Sequence, residues 1–327
     1  MSRALSRTMG AVIAAVLLAV ALAACGGGSE PEPTSTGASS GSADEPIEAN
    51  PANEGKSITF GSKNFTEQFI LGEIYSQALE AGGFDVTKEL NLGSEQIAYK
   101  ALQDGDVDAY PEYTSTSLTN FFGLEPDEVP IDPVEAYDLT REEYAAEDIT
   151  ALPQGKFDNT YVVASTNEMA AELGDPTTIT DLAENPEADE LTIAGFPECR
   201  QRPDCLLGLE DTYGWTPEFV SNEGKFEPLD NGQTDLGFVF ATDGELSLGD
   251  YTAYEDDADL FPPYYISVGI RNDALEEIGP EGQEIIERVQ APLTEDVMRE
   301  LNARVDLDKQ EPEQVASDYL SESGFVQ

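Results

Sequence analysis

Short apolar runs alternate with helical segments along most of this chain, and that rhythm restricts its fold more than any other feature. Ile58-Thr59-Phe60 ends at Gly61, and residues 65–81 then have helical spacing, with Asn64 and Glu67 placed like a capping box. Further strand-like runs lie at residues 86–90, 107–110, 161–164, 191–194 and 236–240, and further helical segments at 94–104, 281–290, 294–303 and 313–322. This order predicts an α/β fold with mostly parallel sheets.

The first residues have the pattern of an export signal. Two arginines precede an apolar run at residues 11–21, which is too short for a stable transmembrane helix. Small residues before Cys25 resemble the lipobox of bacterial lipoproteins, and an ordinary signal peptide is the alternative. We therefore predict a signal peptide at 1–24, and a lipidated cysteine with a flexible linker at 25–56. The mature chain is expected at the outer face of the cytoplasmic membrane, held there by lipid alone.

The composition excludes several classes of function. The chain has 66 Asp and Glu against 16 Lys and Arg, and its formal charge of −50 becomes −52 when the signal's two arginines are removed. So negative a surface repels nucleic acid and anionic membranes, and neither is an expected partner. The sequence has no histidine, which excludes histidine-based catalytic triads and histidine-ligated metal sites. No cofactor, metal site or catalytic residue is expected.

Two of the chain's few cations lie in one short loop. Arg200 and Arg202 lie between Cys199 and Cys205, the two cysteines that remain once Cys25 carries lipid. An even pair of cysteines in an oxidising compartment predicts a disulfide, and two thiolates without histidine make a weak metal site. A fixed cationic loop in an acidic protein indicates that an anionic group binds there.

Other unusual residues also follow predicted strands. Gly61-Ser62-Lys63 follows the first strand, residues 111–116 the third, and residues 241–244 the run that ends at Phe240. In open α/β sheets, ligands bind at loops beyond the carboxyl ends of strands. Taken singly, Lys63 is equally consistent with a surface lysine and Tyr113 with a core aromatic residue. Their shared placement is what favours a ligand site.

Several motifs together resemble those of the osmoprotectant-binding proteins, the extracytoplasmic receptors of ABC importers for glycine betaine, choline and related amines. The resemblance runs in order through residues 57–325, in Gly61-Ser62-Lys63-Asn64-Phe65-Thr66-Glu67-Gln68, 105–114, 157–161, 242–244 and 261–265. It implies the two-lobed type II periplasmic-binding-protein fold, with a ligand cleft that closes by a hinge. Lobe 1 would comprise residues 57–158 and 262–327, and lobe 2 residues 159–261. The implied partners are a small zwitterion and an ABC permease with its ATPase.

The resemblance also implies a cage of aromatic rings for a quaternary ammonium group. Such a group donates no hydrogen bond, so ring faces bind it through cation–π attraction. The cage positions correspond to Tyr113, Tyr161, Phe240 and Tyr264. Phe240 stands where the family usually has tyrosine, and Tyr265 is expected to pack behind Tyr264, although the two adjacent tyrosines could exchange roles.

Three residues correspond to the family's carboxylate-binding positions. They are Lys63, Thr116 at a predicted helix start, and Arg202, whose guanidinium can hold a carboxylate with two hydrogen bonds. Arg200 has no counterpart, and Glu198 and Asp204 are its possible partners. The cysteine pair departs from the best-known family members.

Glycine betaine or a close relative is the leading ligand, and binding rather than chemistry the expected activity. Proline, carnitine or an amino acid would use the same cations, whereas choline lacks the carboxylate and is expected to bind less well. An extracellular hydrolase with paired carboxylates and a stand-alone osmosensor are the remaining alternatives.

Overall fold

The computed structural model describes residues 45–222 and 224–327, whose strands form two five-stranded sheets. The strands are β1 (Ser57–Gly61), β2 (Asp85–Glu89), β3 (Ala109–Tyr113), β4 (Ile149–Ala151), β5 (Tyr161–Thr166), β6 (Thr192–Gly195), β7 (Glu218–Ser221), β8 (Leu236–Phe240), β9 (Tyr251–Tyr254) and β10 (Ile266–Arg271). The α-helices are α1 (Thr66–Ala81), α2 (Glu95–Asp104), α3 (Thr114–Asn120), α4 (Pro133–Ala145), α5 (Asn167–Glu172), α6 (Ile179–Ala183), α7 (Leu206–Tyr213), α8 (Glu227–Asp230), α9 (Asn272–Gln290), α10 (Glu295–Asp306) and α11 (Pro312–Glu322). The predicted signal peptide and Cys25 lie outside the described residues.

The first sheet has the strand order β2-β1-β3-β10-β4 and forms the centre of the first lobe. β1 runs parallel to β2 and β3, whereas β10 runs antiparallel to both β3 and β4. Ile58 and Phe60 alternate along β1 and are buried in the same apolar core as Ile70 and Ile74 of α1. The alternation of β1 and the helical spacing of α1 thus produce one shared core.

The second sheet has the order β7-β6-β8-β5-β9 and forms the centre of the second lobe. β6 runs parallel to β7 and β8, and β5 runs antiparallel to β8 and β9. Its core contains Trp215 and the cysteines Cys199 and Cys205. An α/β, two-lobed fold is therefore confirmed.

In each sheet one strand opposes its neighbours, so the expectation of mostly parallel sheets is only partly correct. These strands, β5 and β10, are the first that the chain enters after it passes from one lobe to the other. Tyr161 at the start of β5 pairs with Phe240 at the end of β8, and Ile266 at the start of β10 pairs with Tyr113 at the end of β3. An incoming chain thus meets the parallel strands at their carboxyl ends and must run back along them.

The lobes also touch where a second-lobe 3-10 turn, Gly244–Leu248, approaches α10. A Cβ at Gly244 would lie 2.5 Å from the backbone nitrogen of Ala303. Only glycine permits this approach.

The predicted linker extends too far toward the folded chain. Ile47 is buried in the first-lobe core, and its backbone nitrogen donates to the carbonyl of Phe325 at 2.7 Å. The buried side chain of Asn53 donates to the carbonyl of Gly82 at 3.0 Å. Two anchors within a stretch rich in small and polar residues are enough to order residues 45–56, and composition alone did not reveal them.

The third strand also lies later than predicted, at Ala109–Tyr113 rather than 107–110. Pro111 is tolerated in this central strand because β1 pairs with β3 only through Phe60 and Ala109, and because the carbonyl of Val268, opposite Pro111 on β10, accepts from Leu152 instead. Among the described helices, none is both long and apolar enough to cross a bilayer.

Candidate ligand-binding site

The carboxyl ends of the parallel strands open onto a cavity of about 370 Å³ that both lobes line. Every residue predicted to contact ligand lies in its wall: Lys63, Tyr113, Thr116, Tyr161, Arg202, Phe240 and Tyr264. The wall also contains residues that were not predicted to contact ligand: Asn64, Phe65, Glu95, Asn120, Asn159 and Phe196. The strand pairing described above is what brings positions so distant in sequence together.

Aromatic rings form one corner of this cavity. The ring centroids of Tyr161 and Phe240 are 4.9 Å apart, because these residues are paired across β5 and β8. Tyr264 meets Tyr161 edge to face at 6.4 Å, and Phe196 stacks on Phe240 at 6.1 Å. Phe196 directly follows β6, so its position just after an apolar strand was the signal that could have identified it.

A second pair of rings lies on the first-lobe side. Tyr113 ends β3, and its ring stacks on that of Phe65 with the centroids 6.3 Å apart. The ammonium nitrogen of Lys63 lies 4.5 Å from the Tyr113 centroid and 5.7 Å from that of Phe65. A cation already occupies one face of this ring pair.

Lys63 is itself ion-paired with Glu112, and both side chains are almost fully buried. Glu112 also accepts hydrogen bonds from the Tyr110 hydroxyl at 2.9 Å and from its neighbour's backbone nitrogen at 2.8 Å. Burial raises the pKa of Glu112, and the Lys63 charge partly opposes that rise. Lys63, which was predicted to bind the ligand's carboxylate, is therefore already paired with Glu112. This pairing was not predicted from the sequence.

Arg202 is paired in the same manner on the second-lobe side. Its Nε donates to Asp204 Oδ1 at 2.7 Å, its Nη2 donates to Asp204 Oδ2, and the Tyr264 hydroxyl donates to that same oxygen. Burial disfavours both charges, but the two-point pairing outweighs it, so the pKa of Asp204 is lowered and the pKa of Arg202 is raised. The guanidinium carbon lies 5.5 Å from the Tyr161 ring centroid.

The two arginines of the cysteine loop have different environments. A disulfide joins Cys199 to Cys205, whose Cα atoms are 5.2 Å apart, and both are fully buried. Arg200 stacks on Phe219 of β7 and donates to its carbonyl oxygen at 3.1 Å, and it is not part of the cavity wall. Asp204 pairs with Arg202, and the side chain of Glu198 lies outside the described residues.

The capping role predicted for Glu67 is wrong. α1 begins at Thr66 with Phe65 as its N-cap, and no side chain caps it. Glu67 is instead buried and accepts hydrogen bonds from the Tyr113 hydroxyl at 2.6 Å, Asn159 Nδ2 at 3.0 Å and Asn302 Nδ2 at 3.1 Å. Burial raises its pKa.

Thr116 and the paired tyrosines complete the predicted set. Thr116 lies in the first turn of α3, where Thr114 and Ser115 both donate to the carbonyl of Pro263. These two bonds fix the segment that carries Tyr264 into the cavity wall. Tyr265 is not part of that wall.

A second cavity of about 470 Å³ adjoins the first and shares Glu95, Asn120 and Arg202 with it. Around the two cavities, the cations Lys63 and Arg202 are each matched by a carboxylate, and Glu95 adds a further acid. In residues 45–222 and 224–327, no group of acidic, cysteine or histidine side chains could hold a metal ion.

Comparisons with known proteins match nearly all of the folded part of this chain. The sequence profile of the substrate-binding domain of ABC-type glycine betaine transport systems matches residues 56–322. A glycine-betaine-binding protein of Pseudomonas aeruginosa is 32% identical over 283 residues, which cover 82% of this chain and 88% of that protein. The Helicobacter pylori ergothioneine transport permease/ergothioneine binding protein EgtU is 27% identical over 83% of this chain and 48% of its own length.

A solved structure has the same fold. The crystal structure of a glycine betaine/carnitine/choline ABC transporter protein superimposes with a TM-score of 0.72 and 25% identity. The superposition covers 82% of this chain and 99% of that one.

Proposed function

This chain belongs to the family of substrate-binding domains of ABC-type glycine betaine transport systems, and we propose that it captures glycine betaine or a related quaternary amine outside the cytoplasm. Proteins of this family bind substrates for ABC transporters and are not enzymes, which removes the hydrolase alternative. The bound solute would pass to a membrane permease driven by an ATPase. A lipid on Cys25 would hold the receptor at the membrane.

The aromatic corner carries this proposal. The ring centroids of Phe240 and Tyr264 lie 4.9 Å and 6.4 Å from that of Tyr161, and Tyr113 lines the same cavity. A quaternary ammonium group cannot donate a hydrogen bond, so it gains little from polar pockets and binds to ring faces. Rings supplied by both lobes would also let one small cation hold the lobes together.

The two cations retain the capacity to bind a ligand carboxylate although both are paired. Arg202 uses Nε and Nη2 for Asp204, which leaves Nη1 and its two hydrogens for another acceptor. Lys63 has three ammonium hydrogens, and Glu112 accepts one of them. We propose that these remaining donors, with the Thr116 hydroxyl, hold the carboxylate of a zwitterion.

The same pairing favours choline as a second candidate ligand. Glu112 and Asp204 cancel the two cations, and Glu95 adds negative charge to the wall. From the sequence, Lys63 and Arg202 were expected to be unpaired cations that repel choline. Because both are paired, a ligand with net positive charge is less disfavoured than was predicted from the sequence. Carnitine and proline would use the same donors as glycine betaine, and a sensor without transport would bind the same solutes.

Titration calorimetry of the mature protein with glycine betaine, choline, carnitine and proline, at low and high salt, tests these proposals. Arg202→Gln should weaken glycine betaine about tenfold or more and choline little, because only the zwitterion uses the guanidinium. Arg200→Gln is the matched control, since Arg200 packs on Phe219 away from the cavity. Equal losses for both ligands would contradict the carboxylate role, and no affinity for any quaternary amine would overturn the proposed function.

A further inference from the structure

We propose that Glu67 is a buried counter-charge for the ligand's quaternary ammonium group, acting through the ring of Tyr113 without touching the ligand. This inference rests on the proposed function, because it concerns the strength of the same cage. It assigns to Glu67 a role in selecting charged over neutral ligands.

The first observation is the set of partners around Glu67. The hydroxyl of Tyr113 and the amide of Asn159 donate to Oε1, and the amide of Asn302 donates to Oε2. Burial raises the pKa of Glu67, and hydrogen bonds from the side chains of Thr242, Tyr113 and Asn302 oppose that rise by favouring the charged form. Partners that donate to both oxygens satisfy an ionised carboxylate, which only accepts hydrogen bonds.

The second observation is that Glu67 has no cation of its own. The other buried carboxylates at the cavity are paired, Glu112 with Lys63 and Asp204 with Arg202. None of the ion pairs within the described part of the chain includes Glu67. The charge of Glu67 therefore remains uncompensated beside the cavity.

The third observation is the short path from this charge to the ligand. Tyr113 lines the cavity with its ring while its hydroxyl donates to Glu67 at 2.6 Å. Donation to an anion increases the electron density of a phenol ring, and the density of the ring face is what attracts a cation. Lys63 lies over the same ring, but Glu112 balances its charge. The net local field of these groups is negative and attracts an ammonium group.

Burial makes such a field effective. Glu67 and Tyr113 are both buried, so little water screens the carboxylate from a cation in the cavity. Two buried amides also tie Glu67 to more distant elements, since Asn159 lies between β4 and β5 and Asn302 lies on α10. The network fixes the carboxylate behind the ring.

The test replaces the charge with an isosteric amide and compares ligands that differ only in charge. Glu67→Gln is measured with choline and glycine betaine, and with their neutral-headed carbon isosteres 3,3-dimethylbutan-1-ol and 3,3-dimethylbutanoate by competition. Glu73→Gln is the matched control, because Glu73 is a buried glutamate on the same helix whose partner is Lys88. Melting temperatures show whether each variant is folded.

We expect Glu67→Gln to lower the affinity for choline and glycine betaine about tenfold, and that for the carbon isosteres less than about twofold. Glu73→Gln should leave all four unchanged. An unchanged affinity for the cations would overturn the inference, as would an equal loss for charged and neutral ligands. The isosteres could bind the parent too weakly to measure. In that case the inference is supported if Glu67→Gln loses choline affinity tenfold while it melts at the same temperature as the Glu73→Gln control. A parent protein that binds no quaternary amine would refute the proposed function instead.

Discussion

Each of the two walls of the cavity contains a cation paired with a carboxylate, but the two pairs differ in their exposure to water. On the first-lobe wall, Lys63 pairs with Glu112, and the two side chains are 5% and 1% exposed. On the second-lobe wall, Arg202 pairs with Asp204, but the arginine side chain is 25% exposed. Lys225, which lies 4.9 Å from the Phe240 centroid and pairs with Asp243, is also 25% exposed. The first wall's cation is thus held within the core, whereas Arg202 on the second wall and Lys225 near it are partly exposed to water.

The largest expected effect is on stability, at Lys63. Lys63→Met would leave Glu112 buried without its counter-ion, which costs about 3–5 kcal/mol of unfolding free energy. Arg202→Gln should cost less, because water reaches Arg202 and Asp204 keeps the Tyr264 hydroxyl. Urea denaturation measures both, and the double variant Lys63→Met with Glu112→Gln should regain most of the loss. Equal costs at the two walls would remove the contrast between them.

A smaller effect is expected at the disulfide of the second-lobe wall. Replacing Cys199 and Cys205 together by alanine should lower the unfolding free energy by about 2 kcal/mol, because the bridge closes a short loop. If the bridge also holds Arg202 in place, affinity for glycine betaine should fall while affinity for choline stays nearly constant. Calorimetry of the double variant tests this, and unchanged glycine betaine affinity would show that Asp204 alone positions Arg202.

The smallest effect concerns pH and the segment that joins the walls. Burial raises the pKa of Asp158 to about 7, although the Tyr264 backbone nitrogen that donates to it at 2.8 Å opposes this. Because the folded pKa is raised, the contribution of Asp158 to stability is complete below its unfolded pKa and is lost as pH rises through about 7. The stability lost between pH 6 and pH 8 should be on the order of 1–2 kcal/mol.

Asp158→Asn isolates that contribution, because asparagine keeps the oxygen that accepts from Tyr264. The variant should melt at a higher temperature than the parent at pH 8, and the difference should narrow as pH falls and vanish only below about pH 4, where aspartate is protonated in the unfolded chain as well. Thermal melts across this range provide the measurement. Parallel melting curves for the two proteins would show that other carboxylates carry the pH dependence.

The sequence located the cavity better than it described the cavity's chemistry. Lys63, Arg202 and the four cage rings were placed by position after strands and by family resemblance, and all line one cavity. The counter-ions were missed, because Glu112 contacts Lys63 only once β3 lies beside the loop after β1. A single glutamate within the buried strand β3 was nevertheless a signal, since buried charges require partners.

Glu67 shows where local pattern reasoning fails. Its spacing from Asn64 fits a capping box, yet it bonds Asn159 and Asn302, which are 92 and 235 residues away in the chain. Only tertiary structure brings such partners together, and it outweighs a local preference worth about 1 kcal/mol. Residues 45–56 were assigned to the linker for the same reason, because Ile47 has its partner at the far end of the chain.

The contact between Ile47 and Phe325 has a practical consequence for the design of a fluorescent biosensor. Because the two ends of the folded chain are adjacent on the first lobe, a fluorescent protein fused after Gln327 would sit beside the point where the chain enters that lobe. The fluorescence of such a fusion would not report a movement of the second lobe. A solute biosensor built on this scaffold needs its second fluorophore in a surface loop of the second lobe.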